Sequence, residues 1–257
     1  MNRLVFITGA SSGIGQALAL HYAAVGWRLA LVARRAAELT AWAEAQGWPP
    51  ERWRVYGADV SDTDSIVAAG QACMAAQGVP DVVIANAGIS IGVDTAVRGD
   101  IDVMARLLAT NTVGLAATFH PFVEPMRQRG NGTLASIASV AAIRGLPGHG
   151  AYCASKAAVV SYCESLRGDL RGSGVRVVTL LPGYIDTPLT RGNRFSMPFL
   201  MPAARFAERA CETIEAGSSY RVIPWQMAIV AKLLRLLPNA LFDRLLAQRP
   251  RKERERG

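Results

Sequence analysis

Seven short apolar runs punctuate the chain, at 3–8, 28–33, 53–59, 81–85, 132–138, 175–181 and 220–223. They are rich in Val, Ile and Leu. Several are apolar at successive positions, the pattern of strands buried on both faces. Between them lie longer segments with apolar residues at helical spacing, at about 13–25, 35–46, 62–76, 98–129, 151–170 and 203–216. Alternation of this kind predicts an α/β fold: a doubly wound, seven-stranded parallel sheet with right-handed crossovers and helices on both faces. Ser61-Asp62-Thr63-Asp64 reads as a helix start, with capping residues ahead of an apolar run.

The pattern changes after residue 223. Trp225, Ile229, Val230, Leu233, Leu234, Leu236 and Leu237 leave a narrow polar edge at Gln226, Lys232 and Arg235. Pro238-Asn239 breaks the run, and Leu241, Phe242, Leu245 and Leu246 mark a second amphipathic helix before a basic tail at 249–256. The division expected is a catalytic domain over 1–223 and an amphipathic helical extension over 224–257. Such faces suit subunit or domain packing first, making a homo-oligomer (dimer or tetramer) the expected state. Peripheral contact with a membrane surface ranks second.

Composition narrows the class. Of 257 residues, 51% are hydrophobic, enough for a sizeable core and too many for a disordered chain. The 24 Gly and 13 Pro show no period, which excludes collagen-like sequence. Cys73, Cys153, Cys163 and Cys211 share no metal-type spacing and sit among apolar neighbours, as buried thiols do in a reducing compartment. With His21, His120 and His149 far apart, no metal site is expected. No uncharged apolar run approaches the roughly 20 residues of a membrane span, and the opening run is too short for a signal-peptide core. The expected location is cytoplasmic, with membrane-surface association as the variant. Net charge is +8, of which residues 220–257 hold +6. A nucleic-acid binder would spread its charge over a folded face, so no nucleic acid is expected as partner.

The chemistry starts at Thr8-Gly9-Ala10-Ser11-Ser12-Gly13-Ile14-Gly15, between the first strand and the first helix. Gly9 permits a tight turn, Gly13 lets backbone approach a pyrophosphate, and Gly15 lets the helix lie close to the sheet. The helix N-terminus then offers unpaired N–H groups to phosphate. NAD sites usually place an acid at the end of the second strand. Here that stretch reads Ala33-Arg34-Arg35. A planar guanidinium suits a 2′-phosphate, so NADP(H) is expected over NAD(H), with Arg34 the better candidate. Asp59-Val60 ends the third strand. Asp59 could accept from an adenine amino group while Val60 packs the ring, or Asp59 could be a turn residue.

Tyr152 and Lys156 sit four apart in the segment read as a helix, on one face of it. An ammonium beside a phenol is expected to lower the phenol's pKa toward neutrality. Lys156 is one of three lysines in a chain whose other cations are arginine. Ser139 lies at the carboxyl end of the fifth strand, where open parallel sheets bind ligands. Singly, each has a structural explanation as well: a half-buried aromatic, a solvated helix face, a turn residue. Asn111 is out of place as a poor helix former inside a helical stretch, which reads as a functional kink or as a helix break.

Together these residues resemble the short-chain dehydrogenase/reductase family in its compact single-domain, Rossmann-like form. The motifs, in order, are the glycine loop, Asp59, Asn86-Ala87-Gly88, Asn111, Ser139, Tyr152-Cys153-Ala154-Ser155-Lys156 and Pro182-Gly183-Tyr184-Ile185-Asp186-Thr187. The resemblance implies that Tyr152 is the proton donor in reduction and the base in oxidation. It implies that Lys156 binds the nicotinamide ribose and tunes Tyr152, Ser139 polarises the carbonyl, and Asn111 holds a water leading from Lys156. Asn86, Ala87 and Gly88 would line the adenosine side, and Ile185 and Thr187 would touch the carboxamide beside Pro182 and Gly183. Residues 187–202 would form the substrate lid. Its Met, Phe and Leu content fits either an apolar pocket or ordinary loop packing.

The function expected is NADP(H)-dependent hydride transfer on a carbonyl or secondary alcohol substrate, with an apolar character. The rivals are a non-catalytic NADP(H)-binding regulatory protein and a membrane-surface reductase of long-chain keto lipids.

Overall fold

A computed structural model describes residues 3–193, 195–247 and 250–255. Arg194 of the expected lid, and Arg249 and Arg256 of the basic tail, lie outside these residues. All seven expected strands form: β1 (Leu4–Thr8), β2 (Arg28–Ala33), β3 (Trp53–Gly57), β4 (Val82–Ala85), β5 (Gly132–Ile137), β6 (Val175–Pro182) and, after the two-residue strands β7 (Ile185–Asp186) and β8 (Met201–Pro202), β9 (Tyr220–Ile223). They make one parallel sheet in the order β3-β2-β1-β4-β5-β6-β9. The chain winds outward from β1 in one direction and from β4 in the other. A crevice therefore opens at the carboxyl ends of these two central strands.

Alternate residues of the central strands face opposite layers. Val5 and Ile7 join the core under α1 (Gly13–Ala24) and α2 (Ala36–Glu44), while Leu4 and Phe6 join the core under α3 (Thr63–Gln77). The first core includes Leu18, Tyr22 and Leu39, and the second Ile66, Cys73, Phe119 and Phe122. All four cysteines are buried. Asp62 caps α3 as its sequence context implies, its Oδ1 accepting from Asp64 N at 3.1 Å and Ser65 N at 3.2 Å.

The long helical segment expected over 98–129 is not one helix. It divides into α4 (Arg98–Leu108), a π-helical turn over Ala109–Val113, and α5 (Gly114–Arg129). Asn111 lies in that turn, so of its two readings the kink is the observed one. Next come α6 (Gly150–Asp169) and α7 (Pro188–Arg191), and α8 (Ala203–Glu215) completes the α1 side through Phe206 and Ile214.

The extension forms α9 (Trp225–Leu236) and α10 (Asn239–Leu246). Met227, Ala231, Phe242 and Leu246 are buried, whereas Trp225 is 58% and Leu236 80% exposed. One side therefore packs on the body and the other faces outward. No described helix is long and apolar enough to cross a membrane.

Candidate active site

The glycine loop is stitched to the end of β4. Thr8 Oγ1 accepts from Asn86 N at 3.1 Å and Ala87 N at 3.2 Å, while Asn86 Nδ2 donates to Thr8 O at 2.9 Å. Gly9 has φ +66°, and a Cβ there would lie 2.8 Å from Ala87 Cα. A Cβ on Gly15 would collide with Gly9 O and lie 2.8 Å from Asn86 Nδ2. What Gly15 accommodates is thus the loop's own carbonyl and the end of β4. Thr8 belongs to the sequence motif, but its role as the pin between two strand ends emerges only in the fold. Ser12, at the N-cap of α1, makes no side-chain cap bond, leaving first-turn amides to a phosphate.

The glycine loop borders a cleft of about 850 Å³ along the carboxyl edge of the sheet. Gly9, Ser11, Ser12, Gly13 and Ile14 line one end with Arg34, Arg35, Asp59 and Val60, and Asn86, Ala87 and Gly88 line the middle. Ser139, Tyr152, Lys156, Pro182, Gly183 and Ile185 line it further on, and Thr187 lines it against Gly13, where a Cβ would lie 3.1 Å from the Thr187 Cβ. Two expected residues, Gly15 and Asn111, stand behind the wall instead; Asn111 is buried and bonded to Ile89 and Ser155. Gly88 lies against both Asn111 and the lysine: a Cβ there would be 3.1 Å from Asn111 Oδ1 and 3.4 Å from Lys156 Nζ.

Arg34 is well exposed at the cleft rim, its Nη1 3.7 Å from Asp59 Oδ2. Arg35 pairs with Glu38 on its own helix at 2.9 Å. Asp59 turns the chain as well as lining the cleft, its Oδ1 accepting from Ser61 N at 2.9 Å and Ser61 Oγ at 2.7 Å. Partial burial raises its carboxyl, but the Ser61 hydrogen bonds and the Arg34 charge outweigh that and hold it below the ordinary value.

At the opposite end, Ser139 leaves β5 as the cap of a short turn, its Oγ accepting from Ala141 N at 3.1 Å. Lys156 is almost fully buried, and its Nζ donates to Ile137 O at 2.8 Å. Burial lowers its pKa to about 8. Its Nζ lies 6.0 Å from the centroid of the Tyr152 ring. The expected fall in the phenol's pKa is not what the structure gives. Burial pushes Tyr152 above its ordinary value, a hydrogen bond with Ser139 pulling the other way. Desolvation is the larger of these two effects. The result is a neutral phenol at pH 7, the form that can donate a proton.

A second cavity, of about 620 Å³, adjoins the first and shares Ser139, Tyr152, Gly183, Leu189 and Thr190 with it. Its walls include Phe195 and Pro198 of the lid and Met227, Val230, Leu234, Leu245 and Leu246 of the extension. The lid's apolar residues divide between both expectations. Phe195 and Pro198 face the cavity, Met201 joins the core, and Phe199 and Leu200 are exposed. The base of the lid is closed by β7 pairing with β8 in parallel, Ile185 against Met201.

The end of the chain also reaches the site. Glu255 borders the first cleft and pairs with Arg106 of α4, while Lys252 borders the second cavity. Gly92 N donates to Glu253 O at 2.9 Å, and Arg254 bonds both carboxylate oxygens of Asp100 at 2.6 and 3.1 Å. None of these positions was expected. Their partners lie far away along the chain, and no local motif announces them.

A sequence model described as short chain dehydrogenase matches residues 3–196. An uncharacterized oxidoreductase of Myxococcus xanthus is 39% identical over 244 residues, covering 94% of this chain and 95% of that one. Two solved structures share the fold: a short chain dehydrogenase from Burkholderia cenocepacia in complex with NADP (TM-score 0.81, 22% identity, 95% and 98% of the two chains) and one from Burkholderia phymatum in complex with NAD (TM-score 0.80, 23% identity, 100% and 98%). A family match over three quarters of the length, on the fold and cleft just described, places this chain in the short-chain dehydrogenase/reductase family, as an NAD(P)-dependent oxidoreductase.

Proposed function

We propose that the chain is an NADP(H)-preferring reductase of apolar carbonyl compounds, with Tyr152 as general acid. One observation carries this reading: Ser139 and Tyr152 stand on the shared wall of the two cavities. A proton donor there can serve a carbonyl in the apolar cavity while a nicotinamide lies in the glycine-lined cleft. The cleft fits such a cofactor through its lining by Gly9 and Gly13, the uncapped start of α1, and Arg34 at its rim. When bound, the nicotinamide supplies the hydride. The chain's own residues do the rest. Ser139 Oγ orients the carbonyl oxygen, Tyr152 Oη donates the proton to it, and Lys156 holds the ribose side while remaining anchored to Ile137 O. The apolar cavity excludes water from the reacting atoms.

NADP(H) is preferred over NAD(H) because Arg34 lines the cleft where an acid would favour the ribose hydroxyl. Residues 1–223 act as the catalytic domain, with 187–202 closing over the substrate and 224–257 completing its pocket. A purely sensing role has no use for a Ser–Tyr–Lys set on the cleft wall. The exposed side of α9 and α10 supports self-association, with a membrane surface as the rival partner and a keto lipid as the matching substrate. Liposome flotation with and without residues 224–257 separates these two. Buried thiols suit a cytoplasmic location. The test of the reading itself is NADPH oxidation over carbonyl compounds graded by chain length and polarity. Turnover is expected to rise with apolar length; no oxidation with any of them would reject it.

A further inference from the structure

We propose that the substrate carries a carboxylate, and that Lys252 receives it within the cavity beyond Tyr152. The proposal rests on the reductase reading above and names its substrate class. No Asp or Glu occurs among the described residues lining this cavity, while two fixed cations do, Arg144 and Lys252. A carbonyl compound with an apolar body and an anionic end fits that combination better than a neutral lipid does.

The two cations differ in what already occupies them. Arg144 is committed to the fold. Its Nη1 donates to Leu234 O and to Leu237 O, its Nη2 reaches Asn239 Oδ1 at 3.1 Å, and its guanidinium stacks 3.7 Å from the centre of the Phe242 ring. It caps the last carbonyls of α9 and fixes the α9–α10 corner. Lys252 has different company. Its Nζ donates to Leu189 O at 3.2 Å and to Asn193 Oδ1 at 2.7 Å, two neutral oxygens of the lid segment. An ammonium has three donors, and a half-buried one gains most from an anionic acceptor. Partial burial already pulls its pKa below the ordinary value, against the opposing charge of Glu253.

The lysine is also held in place. Glu253 O accepts from Gly92 N, and Arg254 grips both oxygens of Asp100, so the two residues after Lys252 are tied to the body. Its ammonium thus bridges the lid and the tail on the cavity wall. A carboxylate docking there would join three segments that are far apart in sequence: the lid, the tail and the end of β5 at Ser139.

Calorimetric titration of the full chain with saturating NADP, using octanoate and 1-octanol as probes, tests this. Octanoate should bind at least about tenfold tighter than octanol, the scale of one charge-assisted contact. Lys252→Gln should remove most of that preference while changing octanol binding by less than about twofold, and Lys252→Arg should retain it. Equal affinities in the native chain, a preference that survives Lys252→Gln, or no binding of either probe would overturn the proposal. Binding is read without turnover, so failure of the reductase reading shows separately, as absent NADPH oxidation.

Discussion

Asn111 and Ile89 are joined by two hydrogen bonds of opposite sense: Ile89 N donates to Oδ1 at 2.8 Å, and Nδ2 donates to Ile89 O at 2.9 Å. The same Nδ2 reaches Ser155 Oγ at 3.0 Å, beside Lys156 on α6. One amide thus ties the π-helical turn, the loop after β4 and the helix bearing Tyr152. Asn111→Ala would strip both backbone groups of Ile89 of this partner. The expected loss is about 2 kcal/mol, or roughly 4–8 °C in thermal midpoint. Thermal unfolding checks it; a midpoint within about 1 °C of the native chain would refute this role.

Arg34 sets the proposed cofactor choice. Its exposed guanidinium is steered over the cleft rim by Asp59, not spent on a buried pair. Arg34→Ala should weaken NADPH by about 10–100-fold, the worth of one charge-assisted phosphate contact, and NADH by less than about twofold. Fluorescence titration with both nucleotides measures this. Equal losses would contradict the NADP(H) preference.

Lys156 makes stability depend on pH in a defined window. Its folded pKa is about 8 against an ordinary 10.5. Below pH 8 the lysine is charged in both states and carries its full burial penalty. Between pH 8 and 10.5 the unfolded chain keeps a proton that the folded chain has released, so stability rises with pH. Relative to Lys156→Met, the native chain should gain about 3 kcal/mol across that window. Denaturant unfolding at pH 7.5 and 10.5 gives the comparison, and a constant difference would disprove the depressed pKa.

The tail is latched by Arg254 on Asp100. The Arg254 hydrogen bonds, with one from Asp94 N, hold the Asp100 carboxyl below its ordinary value. The latch therefore persists at neutral pH and loosens only as pH falls through the lowered carboxyl value. Asp100→Asn should release the segment and speed tryptic cleavage after Arg251 and Lys252 by about tenfold or more. Mass spectrometry of timed digests reads the rate. Equal rates in the two proteins would mean that the tail is held by something else.

Much of this was legible in the chain because its signals are local. Consecutive apolar residues in 28–33 and 175–181 specify strands buried on both faces, and the glycine loop needs no distant information to be recognised. Asn111 announced itself as a poor helix former, and the π-helical turn is where it went. What escaped depends on depth and distance. The i, i+4 spacing of Tyr152 and Lys156 shows proximity but not burial, and burial decided the sign of the tyrosine's shift. Thr8 looks like an ordinary strand end until β4 arrives beside it. Arg254 and Glu255 read only as part of a basic tail until Asp100 and Arg106 are brought to them by the fold. The lid's apolar residues look alike in sequence, yet Phe195 faces the cavity and Phe199 faces solvent.

Proton delivery by the Tyr152 hydroxyl, where the two cavities meet, is the step on which the proposed reduction depends. Tyr152→Phe, assayed for NADPH-dependent carbonyl reduction alongside NADPH binding by fluorescence, tests it most directly. Turnover should fall by about 10²–10⁴-fold, with cofactor affinity within about twofold of the native chain. A variant that reduces substrate at a rate comparable to the native chain would contradict this role for Tyr152.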